Sequence, residues 1–402
     1  MKISTQYLSN LTPLRGIAAL LTVVFHVDLM LGNGGDLLLK FKDSMLINRM
    51  YLMVDFFFVL SGFIMYHVYS QYFKEAVSSA AFKRFTIARF ARVYPLHFFT
   101  LLFTALIWFV AAQLGLPQNA VLQCENSVYS FITNLLLLQS MNFHQWFSYN
   151  QASWSISTEW WMYMLFPFLV RPFAKLNSLG RVLVVLGCFV GYLIITFWIV
   201  PIVTFPASLP FVKLNPADLR INVAYQFGFL RCLFGFVLGM MMYAGYQENW
   251  GKKWLANGYT FLLLTLGLGL CLHFAVPDVF SVAFFPIMLL SAAYGSKNMD
   301  SFFGTKPLQR LGDCSFSIYL VHQPLLYTIG TIMAMMAAPP SETAPAGPPP
   351  KMDMLTGWII CLVFIGFTIL VSYLSYRFIE VPSRNWINAN WGQKKNLVPT
   401  IN

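Results

Sequence analysis

Three ionisable residues, Arg15, His26 and Asp28, interrupt the first long apolar stretch, LRGIAALLTVVFHVDLM (residues 14–30). Arg15 stands near its start, and His26 follows eleven residues later. At about 100° per residue the two side chains share nearly one helix face, roughly 16 Å apart along the helix axis. Ionisable groups at membrane depth are costly and normally face a cavity or a partner. We therefore predict functional roles for Arg15 and His26. The alternative is a snorkelling arginine and a histidine that hydrogen-bonds a neighbouring helix.

A carboxylate in the fourth apolar stretch is the predicted partner of His26. Glu159, in SWSISTEWWMYMLFP (residues 153–167), falls within roughly one or two helical turns of the depth of His26. A buried carboxylate and a buried histidine at similar depth can act as an acid–base pair. Asp28 lies two residues after His26 and faces away from it on a straight helix. We predict that Asp28 lines a cavity. The alternative is that its carboxylate lies at the outer interface of the membrane.

Basic residues cluster in KRFTIARFARVYP (residues 83–95), at the start of the third apolar stretch. Arg89 and Arg92 are three residues apart and share a helix face, and Arg84 is close by. Guanidinium groups hold phosphate through paired hydrogen bonds, so this cluster suits a phosphate-bearing ligand. The alternative is that the cluster binds no ligand and only reflects a cytoplasmic location, because cytoplasmic loops of membrane proteins are enriched in basic residues.

Two further segments carry polar residues that are candidates for lining a cavity. Ser61 lies in DFFFVLSGF (residues 55–63), beside a glycine that would let helices approach closely. Tyr319 and His322 lie in GDCSFSIYLVHQP (residues 312–324), and a polar contact within a helix bundle is the alternative for His322. The six cysteines are scattered singly and lack metal-ligand spacing, so no metal site is predicted.

The composition is that of a membrane protein. Of the 402 residues, 58% are hydrophobic and only 10% are charged, whereas soluble domains carry about 25% charged residues. The formal net charge is +11, which raises the question of nucleic-acid binding. No soluble segment is long enough to fold as a nucleic-acid reader, so that class of function is excluded.

Ten apolar stretches are long enough to cross a bilayer, which takes roughly 20 residues. They are residues 11–31, 50–72, 93–115, 154–172, 182–203, 221–246, 255–276, 278–296, 314–336 and 355–377. A shorter stretch at 128–141 predicts an interfacial or re-entrant helix. With a cytoplasmic N-terminus, 19 basic residues fall in inner segments and six in outer segments, as the positive-inside rule requires.

The sequence therefore predicts an all-α polytopic membrane protein with a single domain over residues 1–402. We expect a bundle of about ten transmembrane helices with both termini cytoplasmic. A proline-rich stretch at residues 338–350 should form an exposed outer loop.

Taken together, these motifs resemble the acyltransferase-3 family of integral-membrane acyltransferases. LRGIAAL with its Arg-x10-His spacing is similar to the family's first-span signature, FFFVLSGF to its second and RFARVYP to its third. WSISTEWWMY resembles the Trp-Ser-x-x-x-Glu element, and SFSIYLVHQP the late Tyr-Leu-x-His-x-Pro motif. Glu380-Val381-Pro382 matches a Glu-x-Pro near the last span. The resemblance runs from about residue 9 to 384, and six motifs in the right order are specific.

The resemblance implies transfer of an acyl group, usually acetyl, from cytoplasmic acyl-CoA to a hydroxyl of an extracytoplasmic carbohydrate or glycolipid. It implies a bacterial inner-membrane location, acyl-CoA as co-substrate and no bound cofactor. The family's essential histidine maps to His26, its first-span arginine to Arg15, and its third-span arginines to Arg89 and Arg92. The chain ends soon after the last predicted span, so we expect a standalone form without the soluble esterase-like domain of some members.

On this reading the phosphates of the donor are predicted to bind Arg15, Arg84, Arg89 and Arg92. His26 would act as the general base on the acceptor hydroxyl, and Glu159 would hold the imidazole or bind the acceptor. An acyl intermediate on a histidine or a serine is an alternative route. A proton-coupled transporter or a flippase would use the intramembrane His and Glu as a relay, but the sequence lacks the repeated halves and paired helix breaks typical of transporters.

Overall fold

A computed structural model describes residues 8–32, 35–116, 124–203, 218–336 and 352–392. Every regular element within these ranges is a helix, which confirms the all-α fold class there. The α-helices are α1 Leu11–Leu31, α2 Met53–Phe73, α3 Ser79–Gln113, α4 Val128–Leu135, α5 Ser153–Ala174, α6 Ser178–Ile194, α7 Gly228–Gln247, α8 Lys252–Leu255, α9 Gly258–His273, α10 Asp278–Tyr294, α11 Lys297–Phe303, α12 Lys306–Asp313, α13 Ser315–Met336, α14 Met354–Ser375 and α15 Val381–Asn390. Short 3₁₀ or π-helical turns precede α2, extend α6 and join α14 to α15.

Each of the ten stretches predicted to span the membrane coincides with one of these helices. Six described segments are long and apolar enough to cross a membrane, or seven if the bent pair of α10 and α11 counts as one span. The six are Leu11–Leu31, Met50–Phe73, Ser79–Gln113, Ser178–Ile202, Gly228–Gln247 and Met354–Asn390. The chain is therefore a multi-pass membrane protein, while the count of about ten spans stays a prediction. The proline-rich stretch 338–350 and both termini lie outside the described residues.

The short apolar stretch at 128–141 forms a helix that is too short to cross the membrane. This helix, α4, has 8 residues and is about 12 Å long, whereas the hydrocarbon core of a bilayer is about 30 Å thick. Ser127 and Ser130 form a capping box at its start, and the apolar side chains of Val128 and Tyr129 are exposed. An interfacial or re-entrant position agrees with these features.

The third long helix begins earlier than the sequence indicated. We expected a span starting near residue 93, close to Pro95. α3 instead begins at Ser79, where the hydroxyl of the N-cap residue Ser78 accepts a hydrogen bond (3.2 Å) from a backbone N–H of the first turn. Pro95 lies inside α3, where it removes one backbone donor without ending the helix. The arginine-rich stretch is therefore part of a helix and not of a loop.

The most buried of the six segments is α2 with its preceding turn, 78% of which lies inside the protein, and it packs closely on α7 through two glycines. A Cβ atom on Gly62 would lie 1.8 Å from the carbonyl oxygen of Phe236, and one on Gly239 would lie 1.9 Å from that of Val59. Small residues let membrane helices approach this closely. The contact fixes the position of Ser61, which precedes Gly62 in the chain.

A second close contact places α12 and α13 against α1. A Cβ atom on Gly312 would lie 2.1 Å from the carbonyl oxygen of Thr12, and one on Gly16 would lie 2.8 Å from the backbone nitrogen of Gly312. α13 begins two residues after α12 ends and also packs on α1. These contacts bring the start of α1, with Arg15, and the start of α13 into the same region.

Gly239→Ala is expected to destabilise the protein, because the added methyl group would overlap the carbonyl oxygen of Val59. Overpacking of this kind costs about 1–3 kcal/mol. Gly269→Ala on α9 is the matched control, since a Cβ atom there meets no atom within 4 Å. Thermal unfolding of the purified protein in detergent should show a lower Tm for Gly239→Ala only. Equal melting temperatures for the two variants would contradict the close contact.

Candidate active site

A cavity of about 150 Å³ lies between α1, α2, α3, α5 and α13. Its lining includes six residues that the sequence singled out: Arg15, Ser61, Arg89, Arg92, Glu159 and Tyr319. Much of the remaining lining is apolar, including Ile64, Met65 and Phe316. The cavity has room for an acyl group and the end of a linear arm.

Three arginines from two helices meet at this cavity: Arg15 from α1, and Arg89 and Arg92 from α3. We call these three residues the arginine mouth. Arg89 donates a hydrogen bond to the hydroxyl of Tyr69 (2.9 Å) and lies over the same ring, 5.2 Å from its centroid. Arg92 forms an ion pair with Glu380. The guanidinium groups of Arg89 and Arg92 are thus held in place by an aromatic and a carboxylate neighbour, respectively.

Positive charge is in excess at the arginine mouth. Asp313, in the short helix α12, is close enough to interact electrostatically with Arg15, Arg92 and Arg384. Burial raises the pKa of the Asp313 carboxyl, and the three guanidinium groups act in the opposite direction. With Arg89, four arginines therefore face three carboxylates, those of Asp313, Glu380 and the cavity residue Glu159. Such an arrangement favours an anionic ligand.

Three hydrogen-bonded side chains lie in the same cavity. The hydroxyls of Ser61 and Tyr163 both donate to Oε1 of Glu159, and the two hydroxyl oxygens are 3.1 Å apart. Ser61 and Glu159 are half-buried, whereas Tyr163 is buried. We call Ser61, Glu159 and Tyr163 the carboxylate trio. The expected pairing of Glu159 with His26 is therefore wrong for this structure, because the carboxylate engages α2 and its own helix instead.

The partner of His26 is His322. Nδ1 of His26 lies 2.9 Å from the carbonyl oxygen of Thr22 and 3.2 Å from Nε2 of His322. Nδ1 of His322 lies 3.2 Å from the carbonyl oxygen of Ile318. A carbonyl oxygen only accepts hydrogen bonds, so in the neutral rings both Nδ1 atoms carry the proton. Nε2 of His322 then accepts from His26, and Nε2 of His26 carries no proton.

This tautomer is the one that a general base requires. The unprotonated Nε2 of His26 can take a proton from a hydroxyl, and the imidazolium that results still donates through Nδ1. His322 is fully buried, whereas His26 is half-buried. Among the described residues the cavity lining includes neither histidine. Tyr319 links the two regions, because it lines the cavity and its ring centroid lies 6.0 Å from that of His322.

Besides the two histidines, two further predicted site residues lie away from the cavity. Asp28 is 2% exposed and accepts hydrogen bonds from the backbone N–H groups of Leu37 and Leu38 (3.0 and 2.7 Å). It secures the loop after α1, which corrects its prediction as a cavity residue. Nε of Arg84 donates to the carbonyl oxygen of Ala80 on its own helix (3.3 Å). The structure therefore does not place Arg84 with the arginine mouth.

Buried ion pairs hold the helices together beyond the cavity. Arg231 on α7 donates to both carboxylate oxygens of Asp55 on α2 (2.9 and 2.5 Å), and both side chains are at most 1% exposed. Arg49 forms a similar buried pair with Asp278 of α10 (2.6 Å). These carboxylates are neutralised by arginines and are therefore structural.

Asp55→Ala is expected to destabilise the protein strongly, because it leaves the guanidinium of Arg231 buried without its counter-ion. Breaking a buried pair in this way costs about 3–5 kcal/mol. The double variant Asp55→Ala/Arg231→Met removes both charges and should regain part of the lost Tm in detergent. An unchanged Tm in Asp55→Ala would show that the pair contributes little to stability.

Three residues near the site were not identified as candidates from the sequence. Tyr163 follows Glu159 by four residues, so the helical spacing alone could have indicated their contact. Glu380 belongs to the Glu-x-Pro motif, but nothing in that motif shows that the carboxylate pairs with Arg92. Arg384 lies on α15, which continues α14 through a π-helical turn, and its approach to Asp313 and Arg92 joins residues distant in sequence.

The helices and the site define a class of protein: a multi-pass membrane protein with an internal cavity, an excess of positive charge at that cavity and a nearby histidine pair. Residues 9–377 match the family described as "Acyltransferase domain". The chain belongs to this acyltransferase family, which confirms the resemblance seen in the sequence motifs.

Several relatives carry names that describe acyl transfer. "Acyltransferase MdmB" of Streptomyces mycarofaciens is 30% identical over 284 residues, which cover 67% of this chain and 66% of that protein. "Peptidoglycan O-acetyltransferase OatA" of Listeria monocytogenes is 22% identical over 95% of this chain and 56% of that protein. "O-acetyltransferase OatA" of Staphylococcus aureus is 21% identical over 95% and 58%. The chain thus spans between about half and two thirds of the length of these relatives. No solved structure matches it.

Proposed function

We propose that the protein is a membrane O-acyltransferase that moves an acyl group, acetyl in the first instance, from cytoplasmic acyl-CoA to a hydroxyl of an extracytoplasmic carbohydrate or glycolipid. The observation that carries this proposal is the arginine mouth on a narrow cavity. Acyl-CoA has several phosphate groups on its nucleotide and a linear arm that ends in the thioester. The arginines suit the phosphates, and the cavity has room for the acyl end of the arm.

The family and the names of the relatives support acetyl as the group and a hydroxyl as the acceptor. In this proposal the start of α1 faces the cytoplasm of a bacterial cell and the membrane is the inner one. The distribution of basic residues along the chain supports that orientation. Acyl-CoA is then a co-substrate, and the protein's own side chains perform the chemistry.

His26 is the proposed general base. Its Nε2 takes the proton of the acceptor hydroxyl as that oxygen attacks the acyl carbonyl carbon. His322 holds His26 in the required tautomer and accepts the hydrogen bond from Nδ1 of the imidazolium. A neutral partner of this kind avoids a second buried charge at membrane depth.

His26→Ala should lower kcat for acyl transfer by about 10²–10⁴-fold, the usual contribution of a general base. The measurement uses purified protein in liposomes, with acetyl-CoA on one side and a sugar acceptor on the other. CoA release and acylated product are followed together. His144→Ala is the control, because His144 contacts Thr133 in the region of α4 and does not line the cavity.

Equal CoA release and product formation by wild type and His26→Ala would make His26 a structural residue. If the wild-type protein releases no CoA and forms no product, the acyltransferase proposal fails. A proton-coupled transporter or flippase that uses the intramembrane histidine and glutamate would then be the favoured alternative.

Arg89→Gln is expected to raise the KM for acyl-CoA by about tenfold or more, because a hydrogen bond to a charged group contributes about 1.5–3 kcal/mol. Loss of uniform binding changes KM and leaves kcat nearly unchanged. Arg84→Gln is the matched control on the same helix, since its guanidinium bonds its own helix instead of lining the cavity. An equal rise in KM for both variants would indicate a general effect of surface charge.

A further inference from the structure

We propose that Ser61 carries the acyl group as a covalent ester between donor and acceptor, with Glu159 as the base that activates the serine. This inference rests on the proposed acyltransferase function and specifies its route. It divides the reaction into a donor half at the carboxylate trio and an acceptor half at His26.

The geometry of the carboxylate trio is the first support. The Ser61 hydroxyl donates to Oε1 of Glu159, and the Tyr163 hydroxyl donates to the same oxygen. A nucleophilic hydroxyl bonded to a base that a third group orients is the usual arrangement for covalent catalysis. Ser61 supplies the nucleophile, Glu159 the base and Tyr163 the orienting group.

The environment of Glu159 differs from that of the structural carboxylates. Asp55, Asp278 and Glu380 each pair with an arginine, and their side chains are at most 1% exposed. Glu159 instead accepts from two hydroxyls and is half-buried at the cavity. A carboxylate kept within a membrane bundle and facing an open space is expected to have a function.

The position of Ser61 relative to the donor is the second support. Ser61 lines the same cavity as the arginine mouth, so a thioester carried in by a bound donor would come within its reach. The cavity lining does not include His26 among the described residues. Phe57 and Tyr319 line the cavity with their ring centroids 5.7 Å apart, and Tyr319 contacts the ring of His322. Ser61 is therefore the better placed of the two residues to meet the thioester first.

The backbone around Ser61 is held rigidly. The adjacent Gly62 has no room for a Cβ atom against the carbonyl oxygen of Phe236. α2 therefore cannot rotate or slide past α7 without separating the two helices. A nucleophile on such a fixed element keeps its distance to Glu159, which precise covalent catalysis requires.

In the first step the Oγ atom of Ser61 attacks the carbonyl carbon of the thioester while Glu159 takes the hydroxyl proton. The C–S bond breaks, the sulfur receives that proton, and CoA leaves as a free thiol. The acyl group is then an ester on Ser61. In the second step the acceptor hydroxyl attacks this ester with His26 as base, the C–O bond to Ser61 breaks, and the acceptor's proton ends on Oγ of Ser61.

The test looks for the ester directly. Purified full-length protein in liposomes is incubated with isotope-labelled acetyl-CoA without acceptor, then quenched in acid and analysed by peptide mass spectrometry. Without acceptor the second step cannot occur, so we expect the label on the Ser61 peptide of the wild-type protein. In His26→Ala the second step lacks its base, so we expect the label on the same peptide even when acceptor is present. Ser70→Ala is the matched control on the same helix, because Ser70 does not line the cavity and its loss should leave the label in place.

Two variants identify the labelled atom and its base. Ser61→Cys should carry the label as a thioester, which neutral hydroxylamine releases, whereas the wild-type ester withstands this treatment. Glu159→Gln keeps a hydrogen-bond acceptor but loses the base, so its rate of labelling should fall by about 10²–10⁴-fold.

The outcomes separate this inference from the function on which it rests. If wild type releases CoA and forms product while no label appears on Ser61 in either condition, transfer is direct and the inference is overturned alone. A label on another residue also overturns it. If wild type releases no CoA even with acceptor, the proposed function fails and the inference fails with it.

Discussion

The close contact between α2 and α7 is the constraint on which the rest of the structure depends. Gly62 and Gly239 bring the two backbones together, and only one register of α2 satisfies both contacts. That register sets Asp55 against Arg231. Ser61, about 9 Å further along the same helix, is set against Glu159. One helix contact therefore determines both the main buried ion pair and the polar centre of the cavity.

The distribution of charge follows from the cost of ionised groups in a medium of low dielectric constant. The structural carboxylates Asp55 and Asp278 are matched by arginines within the bundle, and that of Asp28 by two backbone N–H groups. The His26–His322 pair adds no formal charge when both rings are neutral. At the cavity the arginines outnumber the carboxylates, and Glu159 accepts hydrogen bonds from two hydroxyls instead of pairing with an arginine. An excess of one sign at a cavity is what a bound ion of the opposite sign would balance.

The sequence predicted the helices well because the bilayer leaves few alternatives. A long apolar run must satisfy its backbone hydrogen bonds within itself, so each predicted stretch coincides with a helix. The start of α3 was misjudged because Pro95 looked like a helix start, whereas the cap at Ser78 defines the actual start. Most of the predicted site residues also meet at one cavity, since depth along a helix follows from its rise per residue.

The pairing of residues across helices could not be predicted in the same way. Glu159 and His322 lie at depths compatible with contact to His26, and depth alone does not distinguish them. Which of the two contacts His26 depends on how each helix is rotated about its own axis. Small residues such as Gly16, Gly62 and Gly312 set that rotation through contacts that are distant in sequence. The binding of Asp28 to the loop backbone depends on the path of the chain after α1, which its position in the helix does not predict.

The length of α3 ties the site to the surrounding lipid. The helix has 35 residues, about 52 Å, so it extends well beyond a hydrocarbon core of about 30 Å. Arg89 and Arg92 lie in its N-terminal half. Phosphates of anionic lipids present the same chemistry to these guanidinium groups as a nucleotide does. If the N-terminal half of α3 reaches the headgroups, anionic lipids would compete with the proposed donor for the arginine mouth.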